Sequence, residues 1–357
     1  MNVMNSSSYC VIMAGGVGNR FWPVSNKSCP KQFSDILNTG KSFIQQTYER
    51  LNQIFDKEHI FIITGSEYEA ITRQQIPCIP EGNLLKEPFR RNTATCIAYA
   101  ASKIHKTEPD STMVVVPSDH FITNDRIYLE DILQGISFVK KNHGLLTIGI
   151  QPSRAETEYG YIQIKKQEES APITPVKTFT EKPDKELAEK FFESGDFFWN
   201  AGIFIWQTKD ILQEMRKHVY DLYLLFENDS LLNTEKEQEY INRIYAQCPN
   251  LSIDYAVLEK SAHVYVLKGE FGWSDVGTWH AFQALCEKDE NNNVTNSSKV
   301  IFQDSRNCIV NVPKGKKVIV HGIDNLIIAE KNNYLMVCHS KNENHIRNFE
   351  KLLKLKK

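Results

Sequence analysis

Between residues 9 and 150, short runs of Val, Ile and Leu alternate with longer amphipathic stretches, and this alternation restricts the possible folds more than any other feature of the chain. Tyr9 to Ala14, Ile60 to Thr64, Thr112 to Val116 and Leu145 to Ile150 have the length and near-continuous apolarity of buried strands. Between them, Phe43 to Phe55, Asn92 to His105 and Asp125 to Lys140 repeat apolar residues at helical spacing, the first behind a Ser42 and Gln45 capping-box pair. The pattern predicts an α/β fold with a Rossmann-like, mainly parallel mixed sheet covered by helices on both faces. Ligands of such sheets bind at the carboxyl ends of the strands.

Beyond residue 151 the signal is mixed. Gly160 to Ile164, Val176 to Thr180, Gly202 to Trp206 and His263 to Leu267 read as strands, and Lys209 to Val219 and Glu235 to Ala246 as helices. From Lys299 to His339, short apolar runs are broken by Gly315, Gly322 and the Asn332-Asn333 pair, which predicts a small all-β, β-helix-like appendage before a terminal helix at Asn344 to Leu355. The asparagine-rich Asn291 to Ser298 reads as a linker, so the expected division is a domain over 1–290 and a second over 299–357.

Bulk properties exclude several classes. With 42 basic and 44 acidic residues the formal charge is -2, so no global cationic field exists to hold nucleic acid, and only the Lys351 to Lys357 end is a local patch. The eight cysteines are scattered singly, without CxxC, as expected of reduced thiols. Met1 to Ser8 has no basic segment and Tyr9 to Ala14 is too short to span a bilayer, so no membrane association and a cytoplasmic location are expected. None of the ten histidines falls in an HxH, HExxH or HxxH arrangement, which leaves zinc without a sequence basis.

The chemistry-bearing residues stand at strand ends. Gly15, Gly16 and Gly18 follow the first strand, with Arg20 and Lys31 in the same loop. Such a loop suits a polyphosphate, because glycines uncover backbone N–H groups and the cations add charge-assisted bonds; the plain alternative is a glycine turn beside surface cations. Phe21 occupies the third-glycine place of GxGxxG, and no Gly-Lys pair completes a Walker loop. Asp119 follows the strand Thr112 to Val116, and Asp275 sits in Gly272-Trp273-Ser274-Asp275-Val276-Gly277. Each is a suitable ligand for Mg²⁺ beside a triphosphate, and each is equally a turn or capping residue. Glu181-Lys182 and Trp199-Asn200 pair a carboxylate with a cation and an amide with an aromatic face, as a sugar phosphate needs, though either is also an ordinary turn. Arg90-Arg91-Asn92-Thr93 opens a helix, where Asn92 receives an anion or base edge, or simply caps it.

Taken together, GGVGNRFWPVS with PKQF, EPFRRNTA, VPSDHFI, YGYI, FTEKP, FFWNAGIFIW, SIDYAVLEK and GWSDVGTW occur in order across residues 10 to 280. The set resembles the sugar-nucleotide pyrophosphorylases, within them the branch that makes GDP-mannose. The resemblance implies a GT-A-like nucleotidyltransferase fold and transfer of GMP from GTP to mannose 1-phosphate with Mg²⁺ as cofactor. It assigns Gly15, Gly16, Gly18, Arg20 and Lys31 to the nucleotide phosphates, with Asn92 near the nucleotide. Asp119 and Asp275 would carry the metal, so that Arg20, Lys31, Asp119 and Asp275 form the catalytic set. Gly160, Glu181, Lys182 and Asn200 would contact the sugar phosphate. Asn19 and Phe21 replace the commoner Thr and Leu, and Ala201 a frequent Ser, but no charged group is lost. Longer relatives carry a cupin-type isomerase domain for which this sequence has no room, so a single activity is expected, in a homodimer. The other readings are a pyrophosphorylase for another nucleotide or hexose phosphate, a non-catalytic nucleotide-sugar-binding paralogue, and a metal-dependent glycosyltransferase. The second would be expected to lose Lys31, Asp119 or Asp275, and the third to show DxD where Ser118-Asp119-His120 stands.

Overall fold

The computed structural model describes residues 7–16, 18–164, 171–227 and 230–354. Most of the N-terminal stretch (1–6), Val17 of the glycine loop and the last three residues of the basic end (355–357) lie outside the described residues. Nine strands form one sheet: β1 (Ser8–Met13), β2 (Ile60–Gly65), β3 (Leu84–Glu87), β4 (Thr112–Pro117), β5 (Leu145–Ile150), β6 (Tyr161–Ile164), β7 (Ile173–Thr180), β8 (Phe197–Gln207) and β9 (Val264–Gly269). Their order is β3-β2-β1-β4-β8-β5-β9-β7-β6, and β8 also pairs with β6. Around β1 the ladders are parallel, and β1 and β2 are buried almost throughout, as strands covered on both faces must be.

The other half departs from the mainly parallel expectation. β8 runs antiparallel to β4, β5 and β6, and β7 antiparallel to β6 and β9, so five of the nine pairings are antiparallel and four parallel. The physical reason is β8 itself. At 11 residues it is the longest strand, inserted in reversed direction between β4 and β5, which would otherwise continue the parallel set. Strand direction leaves no trace in periodicity, so the sequence could not reveal it.

The chain parts into two compact units that are not sequential. One comprises Met1–Gly15, Tyr48–Ser118 and Ile122–Trp273, and holds the nine-stranded sheet. Its core joins Val11, Ile63, Val115 and Phe204 of the sheet to Ile97, Ala101 and Ile104 of the helix Asn92–Thr107 and to Ile211 and Met215 of Thr208–His218. Within it, the register Met13↔Pro117 sets the exits of β1 and β4 side by side, and Ser118 N donates to Met13 O at 3.0 Å.

The other unit comprises Gly16–Thr47, Asp119–Phe121 and Ser274–Lys357. Here Phe21, Trp22, Ile36 and Phe43 share one core with Trp279 and Phe282 and with Ile309, Ile327 and Met336 from far along the chain. β10 (Val294–Thr295), β12 (Ile309–Asn311) and β14 (Leu326–Lys331) stack in parallel, β15 (Tyr334–His339) closes the stack antiparallel, and two further strands, β11 (Val300–Gln303) and β13 (Val318–His321), pair in parallel. The asparagines of 291–298 begin this stack. Asn296 Oδ1 accepts from Val312 N at 2.9 Å while its Nδ2 donates to Val312 O at 3.0 Å, and Asn293 Oδ1 accepts from Cys308 N at 2.9 Å. Of the terminal helix, the structure has a 3₁₀ run at Ser340–Asn348 followed by Phe349–Lys354.

Candidate active site

Lys31, Asp119 and Asp275 meet in the second unit. The segment 16–47 supplies Lys31 from a single 3₁₀ turn, Lys31–Phe33, started by Pro30, which leaves the lysine 5% exposed and its ammonium 5.2 Å from the centre of the Phe43 ring. Lys31 Nζ lies 3.1 Å from Asp119 Oδ2 and also donates to the backbone carbonyl of Asp275. Burial pushes the Asp119 carboxyl up, but the positive charges of Lys31 and His120 outweigh it and hold it below the usual carboxylate range. Asp275 is fixed by its own turn. Its Oδ1 accepts from Gly277 N at 3.0 Å, and the buried Val276 between them is held at φ 44°, a conformation β-branched residues rarely take.

A cavity of about 220 Å³ opens beside this cluster, lined by Gly18, Asn19, Arg20, Phe21, Lys31, Asp119, His120, Asp275 and Gly277. Gly18 has no substitute here. It sits at φ 56°, and a Cβ on it would lie 2.4 Å from Lys31 N. Gly15 and Gly16 are less demanding: neither has positive φ, and the nearest atoms to a Cβ are Glu87 Oε2 at 3.6 Å and Gln32 Oε1 at 3.8 Å. Of the expected phosphate-loop residues, Gly18, Arg20 and Lys31 line the cavity and Gly15 and Gly16 do not.

The donor set suits a hard divalent cation that arrives with a polyphosphate. Two carboxylates are present in one cavity, and among the described residues no group of three His, Cys, Asp or Glu side chains could hold a metal alone. That is the pattern of Mg²⁺ sites built from one or two carboxylates and substrate phosphates.

A second polar cluster lies in the first unit. Asn200 on β8 has its amide fixed on both sides: Oδ1 accepts from Thr147 Oγ1 at 2.9 Å and Gly202 N at 3.1 Å, and Nδ2 donates to Asp254 Oδ1 at 3.0 Å. Glu181 packs against Gly160, where a Cβ would fall 2.5 Å from Glu181 Oε2, and pairs with Lys182, itself held at φ 45°. So Gly160, Glu181, Lys182 and Asn200, widely separated in sequence, belong to one unit, with Asp254 among them. The aromatic face read beside Asn200, that of Trp199, is not open to a ligand. Its ring is buried, 5.2 Å from Tyr159 and under the Arg154 guanidinium at 5.4 Å.

Asn92 begins its helix at φ 63° and makes no capping bond to the second or third turn residue; its Oδ1 accepts from Thr93 N at 2.9 Å. Two residues join the candidates from structure alone. Burial pushes the Glu87 carboxyl up to about 7 at the end of β3, where Oε1 accepts from Tyr245 OH at 3.2 Å. Burial and the nearby Glu181 do the same to Asp254, also to about 7. Both stood inside the blocks EPFRRNTA and SIDYAVLEK, and only burial distinguishes them from surface carboxylates.

A buried lysine in contact with two aspartate residues, beside a cavity that a cation and a glycine also line, is an arrangement suited to an enzyme that acts on phosphates, and the chain belongs to the nucleotidyl transferase family, whose model matches residues 9–292. It is similar to alginate biosynthesis protein AlgA of Pseudomonas putida, 35% identical over 96% of this chain and 71% of that protein. It is also 34% identical to a mannose-1-phosphate guanylyltransferase of Klebsiella pneumoniae, over 96% of this chain and 73% of that one. Among solved structures, one described as a mannose-1-phosphate geranyltransferase from Thermus thermophilus superposes with a TM-score of 0.87 at 28% identity, covering 98% of this chain and 99% of that one. The α/β nucleotidyltransferase fold is therefore shared, and the likeness to that structure extends over essentially the whole length. No helix among the described residues is long and apolar enough to cross a membrane.

Proposed function

We propose that this protein transfers GMP from GTP to α-D-mannose 1-phosphate, giving GDP-mannose and pyrophosphate. The observation that carries the proposal is the similarity to a mannose-1-phosphate guanylyltransferase over 96% of the chain, in a sequence that holds Arg20, Lys31, Asp119, Glu181, Lys182 and Asp275. In this reading Gly15, Gly16, Gly18, Arg20 and Lys31 receive the triphosphate, with Asn92 near the nucleotide. Asp119 and Asp275 hold Mg²⁺, which when bound neutralises charge on the phosphates. Gly160, Glu181, Lys182 and Asn200 hold the sugar phosphate.

The sugar's phosphate oxygen attacks the α-phosphorus in line with the departing pyrophosphate. A phosphate is already anionic at neutral pH, so no general base has to generate the nucleophile. The protein's own part is to align the groups and to offset charge with Lys31 and Arg20. Lys31 is suited to this because its side chain lines the cavity together with Asp119 and Asp275, which both contact its ammonium, and an ammonium donates equally well to phosphate oxygens.

The same reading takes 1–290 as the catalytic domain and 299–357 as a β domain, whose parallel stack with offsets such as Val294↔Ile309 and Ile309↔Ile327 supports a short β-helix. It places the enzyme in the cytoplasm as a homodimer acting on small molecules rather than on nucleic acid. The test is pyrophosphate release from purified protein with each of four nucleoside triphosphates against several hexose 1-phosphates. GTP with mannose 1-phosphate should give the highest kcat/KM. A higher value for another pair would reassign the substrates, and no turnover with any pair would favour a non-catalytic binding role.

A further inference from the structure

The SIDYAVLEK segment supplies none of the residues assigned to either substrate, yet its Asp254 is built into the sugar-phosphate half. Asp254 opens a single π-helical turn, Asp254–Leu258, a local widening that in other helices often accompanies function. Its side chain is turned inward, the residue being only 9% exposed, and accepts one N–H of Asn200. Thr147 and Gly202 hold the other end of that amide, so its orientation is set. The second N–H of Asn200 has no protein acceptor among the described residues. Glu181, with a side chain 8% exposed, brings a second carboxylate to the same place against the bare backbone of Gly160.

We propose that Asp254 is a positioning residue for the hexose 1-phosphate, holding the Asn200 amide in the orientation in which its remaining N–H and the Glu181 carboxylate meet the sugar. This rests on the reading of the cluster as the sugar-phosphate half-site. A planar amide and a carboxylate side by side offer a donor and acceptors, which suits hydroxyl groups able to play both parts.

The electrostatics add a pH dependence. Glu181 and Lys182 face Asp254 from the end of β7, and Tyr255, Glu259 and Lys260 come from its own turn and the residues after it. Burial first, then the Glu181 charge, push the Asp254 carboxyl up to about 7. Below that pH it is neutral, and the half-site carries the Glu181 charge balanced by Lys182. Above it, a second negative charge is added where a phosphate dianion must bind, so the KM for the sugar phosphate rises.

The experiment is steady-state kinetics between pH 6 and 8, varying each substrate in turn, on the full-length wild type, Asp254→Ala, Asp254→Asn and, as a control in the same half-site, Asn200→Ala. Asp254→Ala should raise the KM for mannose 1-phosphate roughly 3- to 10-fold, the worth of one neutral hydrogen bond, and leave that for GTP alone. Asp254→Asn keeps an acceptor for Asn200 but cannot ionise. It should recover most of that loss at pH 6 and lack the wild-type rise in KM towards pH 8. Ionisation of mannose 1-phosphate itself affects all enzymes equally and cancels in the comparison.

An unchanged KM in Asp254→Ala, with Asn200→Ala impaired, would overturn the proposal while leaving the half-site intact. Parallel pH profiles for wild type and Asp254→Asn would overturn it too, and this arm decides even where Asp254→Ala fails to fold. If the wild type shows no turnover of GTP with mannose 1-phosphate, the functional reading fails and the proposal with it.

Discussion

Lys31 Nζ and Asp119 Oδ2 lie 3.1 Å apart, joining two residues that are 88 positions apart in the chain, and the same ammonium donates to the carbonyl of Asp275. One cation thus ties the segments carrying both candidate metal ligands. It also acts against burial, with His120, to hold the Asp119 carboxyl below the usual carboxylate range. The consequence is that Lys31 has two separable parts, one in holding the site ready and one in meeting phosphate.

Lys31→Ala should therefore lower turnover by roughly a hundred- to a thousandfold, the scale of losing one transition-state donor, about 2.7–4 kcal/mol. Lys31→Arg should recover little, because the ammonium of this buried side chain sits over the Phe43 ring, where a planar guanidinium cannot take its place. Initial rates at saturating substrates check this. Rates near wild type in Lys31→Ala would remove the lysine from catalysis.

Asp119→Asn and Asp275→Asn should fold as the wild type does and lose most turnover, with the Mg²⁺ concentration for half-maximal rate shifted upward in each. Circular dichroism gives the first and a metal titration of the initial rate the second. An unchanged metal dependence in either variant would exclude that residue as a ligand.

Asp119 and Asp275 could be nominated from sequence because they stand just after an apolar run and a glycine, and Lys31 because it shares the loop of Gly15, Gly16 and Gly18. Asp254 and Glu87 were not, since a carboxylate in a mixed segment reads as surface until its burial is known. β8 was underestimated for a related reason. Gly202 to Trp206 stood out as a strand, but Phe197 to Trp199 are apolar on both faces and show no alternation, so the strand's full extent and its reversed direction stayed hidden. The burial of the Trp199 ring was likewise hidden, because an aromatic beside an amide has the same spelling whether it is exposed or packed.

Truncation at Ser298 should yield insoluble protein or protein of altered oligomeric state, with turnover lost. The stack beyond that residue holds the segment carrying Lys31: Lys331 Nζ donates to Val24 O at 2.6 Å, Trp22 packs 5.6 Å from Tyr334, and Ile309, Ile327 and Met336 share the core of Phe21 and Ile36. Size-exclusion chromatography and activity of the truncated chain decide it. A soluble, fully active truncation of unchanged size would show that this core is dispensable.

Stability should fall as pH rises from about 5 to 8. The Glu87 and Asp254 carboxyls are raised to about 7 in the folded chain, so each stabilises the fold while protonated and loses that contribution as pH climbs from its unfolded value through 7. For Glu87, raised from 4.5 to about 7, the full effect is about 3 kcal/mol. Glu87→Gln should therefore be less sensitive than the wild type when urea midpoints at pH 5 and pH 8 are compared. Equal differences in both proteins would place the titrating group elsewhere.

The central claim is that each substrate has its own cation, Lys31 for the triphosphate and Lys182 for the sugar phosphate. The most direct measurement is the pair of Michaelis constants for GTP and mannose 1-phosphate in Lys31→Ala and Lys182→Ala. Lys182→Ala should raise the constant for mannose 1-phosphate about 10- to 150-fold, the worth of a charge-assisted contact of about 1.5–3 kcal/mol, and scarcely alter that for GTP, while Lys31→Ala damages GTP binding and turnover. A Lys182→Ala enzyme with weakened GTP binding and an unchanged constant for mannose 1-phosphate would contradict it.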